Sequence, residues 1–114
     1  MIDFACKRFE LKEVIKCGLG LTKSDFTIMD FLVKNRKTFN SNDLAEKLSL
    51  DLSTVQRSLK NLNERNVVIR SQNNLSGGGY VYFYKINDKV IIKDLMMKII
   101  NGWVKKVEYE LDKW

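Results

Sequence analysis

The chain is predicted to be α+β and mainly α, with a run of helices, one two-stranded β-hairpin and a long C-terminal helix. Three observations carry that expectation. Apolar residues recur at three- and four-residue spacing in successive segments, as a helix with one buried face requires. One stretch around residue 75 abandons this period for β-branched and aromatic residues on either side of a glycine-rich turn. The 114 residues contain no proline, and their 45% apolar content suffices for a single core.

Residues 9–19 read as the first helix, with Leu11, Val14, Ile15 and Cys17 near one side and Gly18 and Gly20 expected to end it. In LTKSDFTIMDFLVKN, Thr22 stands three residues before Asp25 and just ahead of the stripe Phe26, Met29, Leu32 and Val33. This is a capping-box start, so a second helix is expected to run to about Asn35. After the basic link NRKTF, Asn40 or Ser41 can cap a short third helix that buries Leu44, Ala45 and Leu48 and ends near Ser49.

Asp51 then stands where a carboxylate can accept from the first free amides of a fourth helix, LSTVQRSLKNLNERN. Val55, Leu59 and Leu62 follow i, i+4, i+7 and must face the core. Ser53, Gln56, Arg57 and Lys60 therefore share the opposite, outward face, which is polar, donor-rich and basic. Asn66 tolerates the left-handed conformation in which helices often finish.

VVIRSQ and YVYFYKI have strand composition, and NNLSGGG between them is dense in turn formers, so the three read as a hairpin with a flexible tip. From Asn87 or Asp88 to Trp114 the pattern is helical again, roughly 40 Å by helix rise.

The chain holds 20 Lys and Arg against 14 Asp and Glu, a formal charge of +6 with a pI near 9.4, which suits a polyanionic partner. Residues 52–86 carry five of the basic side chains and one acidic one, hence four of the six net positive charges. No apolar run approaches the roughly 18 residues of a membrane span and no signal peptide is evident, so a cytoplasmic, membrane-free protein is expected. Cys6 and Cys17, if both helical, would share a face about 16 Å apart and could not bridge each other. They read as small packing residues, or alternatively as a redox-sensing thiol or an intersubunit disulfide. With no histidine and no C-x-x-C, the chain lacks Cys/His zinc patterns and the usual general base. No catalytic residue, metal or cofactor is expected, and the chain does not read as an enzyme.

The segment SNDLAEKLSLDLSTVQRSLKNLNERNVVIR, set between a helix and a hairpin, resembles the winged helix-turn-helix of MarR- and TrmB-like regulators, the latter common in archaea. The likeness runs over residues 21–86. It implies that residues 52–60 form the recognition helix of a double-stranded DNA-binding transcription regulator. Side-chain chemistry agrees: Gln56 can present a bidentate edge to adenine, Arg57 a fork to guanine or phosphate, and Leu52 an apolar surface to a thymine methyl. Ser53, Thr54 and Lys60 suit phosphate contacts. Taken alone, the same face could simply solvate an outer helix.

The wing departs from the resemblance, because residues 73–79 are uncharged where many such wings carry a basic tip. Asn73, Asn74 and the glycine amides could hold phosphates, with Arg70 the nearest fixed charge, or the tip could be a plain turn. Tyr80, Tyr82 and Tyr84 alternate along one strand face, either as half-buried packing or as a stacking platform for single-stranded nucleic acid.

The expected organisation is an N-terminal helix supporting a dimer (residues 1–20), a winged helix-turn-helix (residues 21–86) and a dimerisation helix (residues 87–114). Along the last of these, Ile92, Met96, Ile99, Trp103, Val107, Leu111 and Trp114 form a stripe that a small core cannot cover. A second copy is the expected cover, helped by Phe4, Leu11, Val14 and Ile15 of the first helix. Sugar-sensing TrmB-type proteins carry a further domain that this chain ends before. A small-molecule effector is therefore not implied, although the MarR likeness leaves a pocket between terminal helices open. The competing reading is a winged-helix protein-interaction module of the transcription or replication machinery.

Overall fold

The computed structural model describes residues 1–114. The chain forms two compact units, Thr22–Asp88 and the combination of Met1–Leu21 with Lys89–Trp114.

In the first unit, α2 (Lys23–Lys34) begins with the expected capping box. Asp25 N donates to Thr22 Oγ1 and Thr22 N donates to Asp25 Oδ2, both at 3.1 Å. Its inward face is Ile28, Met29 and Leu32, whereas Val33 is exposed and Phe26 half-buried, so the stripe is rotated by about one residue from the expected one. α3 (Ser41–Leu48) starts where Asn40 Oδ1 accepts from Asp43 N at 2.8 Å and stops at Ser49, whose φ of 53° is left-handed. Leu44 is fully enclosed; Ala45 and Leu48 are half-buried.

A tight turn leads into α4 (Leu52–Glu64). Asp51 occupies the N-cap position but its carboxylate makes no capping bond, contrary to expectation. The side chain is exposed, and only the carbonyl takes part, accepting from Val55 N at 3.0 Å. Val55, Leu59 and Leu62 are completely buried beside Ile28, Leu32, Leu44 and Val67. Burial of each such side chain contributes about 1.5–3 kcal/mol. After α4, Asn66 adopts the expected left-handed φ, 60°, and its carbonyl accepts from Asn87 Nδ2 at 2.8 Å.

β3 (Val68–Asn74) and β4 (Tyr80–Ile86) pair antiparallel from Val68↔Ile86 to Asn74↔Tyr80. Asn73 and Asn74, expected in the tip, are therefore ladder residues. The turn is residues 75–79, closed by Leu75 N to Gly79 O at 3.0 Å, with Gly78 and Gly79 at positive φ. The basic link also proves to be more than a connection. Phe39 bridges Tyr84 through two backbone hydrogen bonds of 2.8 and 2.9 Å, adding a one-residue third strand, and its ring meets Phe31 at 5.2 Å. Helix, helix-turn-helix and hairpin in this order make a winged helix-turn-helix.

In the second unit, α1 (Leu11–Leu19) packs on α5 (Lys89–Lys113). Gly18 does not end α1. It lies within the helix, where a Cβ would sit 3.0 Å from Met96 Cε, while Gly20, at φ 64°, supplies the left-handed stop. The residues before α1 are not helical, against the grouping of Phe4 with the first helix. β1 (Ile2–Phe4) and β2 (Lys7–Phe9) form a short antiparallel hairpin, with Ile2 opposite Phe9 and Phe4 opposite Lys7. Alternation decides it: Ile2, Phe4 and Phe9 share one side, and on the other Arg8 Nε donates to Asp3 Oδ1 at 2.6 Å. Cys6 sits in the turn, so the shared-helix geometry does not apply, and both cysteines are exposed and unpaired. No helix is long and apolar enough to cross a membrane.

Candidate nucleic-acid interface

α4 owes its two faces to the spacing of its leucines. Because Val55, Ser58, Leu59 and Leu62 point inward, Ser53, Gln56, Arg57 and Lys60 are all exposed, Leu52 is 39% exposed and Thr54 is half-buried. Beside this face lies a cleft of about 470 Å³, with Arg57, Lys60 and Thr54 on one wall and Thr22 and Ser24 from the start of α2 on the other.

At the floor of the cleft is Asp25, only 2% exposed. Burial pushes its carboxyl up, but hydrogen bonds from Ser58, the Thr22 backbone, Asn61 and the Thr22 hydroxyl outweigh that, and the group titrates below the ordinary 3.8. The Asn61 amide is 2.7 Å from Asp25 Oδ2. Asp25 was legible as a cap; its tie to α4, 36 residues along the chain, was not.

On the wing, Arg70, Asn73 and Asn74 are exposed, but they do not share a side. Arg70 and Asn74 lie with the tyrosines, while Asn73 lies with Ser71 and Phe83 on the reverse. The Arg70 guanidinium stacks 4.3 Å from the centre of the Tyr82 ring. Tyr80 and Tyr82 meet at 5.1 Å with tilted planes, and the hydrogen bond between them raises the Tyr80 phenol above its ordinary 10.0.

The residues expected at a dimer interface occupy the other unit. Leu11 is 57% exposed, and Val14, Ile15 and Ile92 are half-buried. Met96 is buried against Gly18 of the same chain, whereas Ile99, Trp103, Val107, Leu111 and Trp114 are exposed. No cluster of three or more side chains suited to a metal ion is present.

Residues 9–108 match the model of the DnaD N-terminal domain. The chain belongs to the DnaD N-terminal domain family. It is 34% identical to the uncharacterized protein MJ1503 of Methanocaldococcus jannaschii over 117 residues, 96% of this chain and 88% of that protein. A solved structure from Methanosarcina mazei Go1, described as "Possible transcriptional regulator", is 46% identical, covers 100% of this chain and 96% of its own, and superposes with a TM-score of 0.93. A mutant of S. aureus MepR bound to an oligodeoxyribonucleotide is similar in fold, with a TM-score of 0.57 at 15% identity over 87% of this chain and 72% of its own. The winged-helix resemblance read from the residues is thus borne out, and the family match gives it a narrower name.

Proposed function

We propose that this protein is a sequence-specific double-stranded DNA-binding transcription regulator that lays α4 in the major groove and acts by occupancy, without catalysis. One observation carries the reading. The helix in the recognition position buries its apolar face completely and leaves Gln56, Arg57, Ser53 and Lys60 outward, a set able to contact base edges and phosphates. Leu52, Thr54, Arg70, Asn73 and Asn74 complete the assigned contacts. The description of the Methanosarcina relative and the oligodeoxyribonucleotide on MepR support this reading, and both archaeal relatives accord with an archaeal source.

A homodimer belongs to the same reading, with residues 87–114 as the dimerisation helix and residues 1–20 in support. The exposed stripe from Ile99 to Trp114 is the surface that favours it. Two-fold symmetry would give operators of near-palindromic sequence with half-sites about one helical turn apart.

The test is selection of duplex sites from a random pool, followed by titration of variants. Arg57→Ala and Gln56→Ala should each cost about 1–3 kcal/mol on the selected site with folding intact. If no site is enriched, or both variants bind like the parent, the reading falls to the protein-interaction module, which needs no base contacts.

A further inference from the structure

We propose that the tyrosine face of the wing binds single-stranded nucleic acid. Cross-strand register puts six side chains on this one face: Arg70 opposite Tyr84, Gln72 opposite Tyr82 and Asn74 opposite Tyr80. The tip end of the face is open. Tyr80 is 55% exposed, and Arg70, Gln72 and Asn74 are exposed beside it, with Gln72 Nε2 donating to Asn74 Oδ1 at 3.4 Å.

The chemistry selects a nucleic acid. No Asp or Glu occurs between Glu64 and Asp88, while Arg70 stands on the face itself, so an anionic chain meets no repulsion there. Aromatic rings supply flat surfaces to nucleobases, the Arg70 guanidinium sits over Tyr82 at 4.3 Å and is exposed, so it can meet a base or a phosphate, and the exposed Gln72 and Asn74 amides can reach base edges.

The geometry selects a single strand over a duplex. The Tyr80 and Tyr82 rings meet at 5.1 Å and are tilted, so no base fits between them and stacking falls on the open outer face of Tyr80. Bases in a duplex are stacked at about 3.4 Å and offer no open ring face to a protein side chain. An unpaired strand can turn a base out onto that face. The face shares Arg70 and Asn74 with the duplex contacts assigned above, but Tyr80, on which the test turns, is not among them, and the inference does not rest on how α4 is used.

The experiment is fluorescence anisotropy of the full chain with a labelled oligothymidylate, which has no secondary structure, at low salt, alongside a labelled duplex. Tyr80→Ala should weaken oligothymidylate binding by about tenfold or more while leaving duplex binding within about twofold, and Tyr80→Phe should bind like the parent. Arg57→Ala should do the reverse, weakening the duplex alone. Circular dichroism of Tyr80→Ala checks that the wing still folds. Absence of oligothymidylate binding, or equal binding by Tyr80→Ala and the parent, overturns the proposal. So does an equal loss on both probes, which would assign the face to the duplex backbone. Failure of the Arg57 arm with success of the Tyr80 arm would remove the major-groove reading and leave this one standing.

Discussion

Asn61 donates its side-chain amide to Asp25 at 2.7 Å, and through that bond the outward helix α4 is tied to the first turn of α2. The same carboxylate closes the capping box with Thr22 and accepts from Ser58. One buried anion therefore fixes both the start of one helix and the seating of another.

Removing it should be costly. Asp25→Ala leaves the Thr22 amide, Ser58 and Asn61 short of their common acceptor, and although water can enter from the cleft, a loss of about 1–3 kcal/mol in chemical denaturation is expected. The acid dependence follows from the lowered pKa. Folded Asp25 gives up its proton at lower pH than unfolded Asp25, so its stabilisation is fully present above 3.8 and is lost as pH falls through the folded value. Asp25→Asn should be less stable near neutrality and show a flatter acid limb. An unchanged acid limb would mean that other carboxylates control it.

Asn66 is held at φ 60°, and Asn87 donates to its carbonyl at 2.8 Å, which closes the chain between α4 and β3. Asn66→Gly should be tolerated within about 0.5 kcal/mol, since glycine enters this region freely. Asn66→Val should cost about 1–2 kcal/mol because a β-branched side chain resists a left-handed backbone. Thermal melts of the pair separate conformational strain from loss of the Asn side chain. Equal melting temperatures would mean that the turn relaxes to another conformation.

How much of this was legible in sequence depended on the range of the interaction. The Thr22–Asp25 box, the left-handed Asn66 and the two faces of α4 follow from near neighbours and are legible in the sequence; the α3 cap is legible only as Asn40 or Ser41, and Asp51, equally local, holds the N-cap position of α4 without a side-chain bond. Ser49 as a left-handed stop was not read, because nothing local distinguishes that serine from any other. The Asp25–Asn61 tie and the Phe39–Tyr84 bridge join residues tens of positions apart, and no periodicity encodes them. The N-terminal hairpin was missed for a different reason. Its strands are three residues each, so Ile2, Phe4 and Phe9 give too few alternations to outweigh a helix extended backwards from Leu11. Gly18 was read as a breaker when its role is contact with Met96, which only the packing of α1 on α5 defines.

Lys60 and Gln56 stand on the same exposed face but should behave differently toward salt. A lysine on a phosphate releases about one counterion, so Lys60→Ala should weaken binding to cognate and random duplex alike and reduce the slope of log K against log salt by about 1. Gln56→Ala should leave that slope unchanged and lose affinity for the cognate site alone. Titrations at several salt concentrations give both numbers. A Lys60→Ala slope equal to the parent's would take this side chain off the phosphates.

The C-terminal half of α5 leaves Trp103 56%, Val107 37% and Leu111 59% exposed at helical spacing, and Trp114, just past the helix, is 99% exposed. Such a stripe on a water-facing helix is unfavourable unless another surface covers it. Lysines punctuate this helix, but Asp94, Glu108, Glu110 and Asp112 are interspersed with them and deny an anionic lipid surface a clean basic face, so a second copy of the same helix is the better cover. Sedimentation of the intact chain at micromolar concentration should therefore give twice 13.3 kDa. Val107→Glu, which puts a charge at the least exposed point of the stripe without disturbing helix propensity much, should yield the single-chain mass and red-shift tryptophan emission as Trp103 becomes wet. It should also weaken binding to a two-half-site operator while sparing a single half-site, because only the dimer engages both halves at once. A parent chain that sediments at 13.3 kDa would overturn the dimer, and a Val107→Glu chain that still sediments as a pair would move the interface off this stripe.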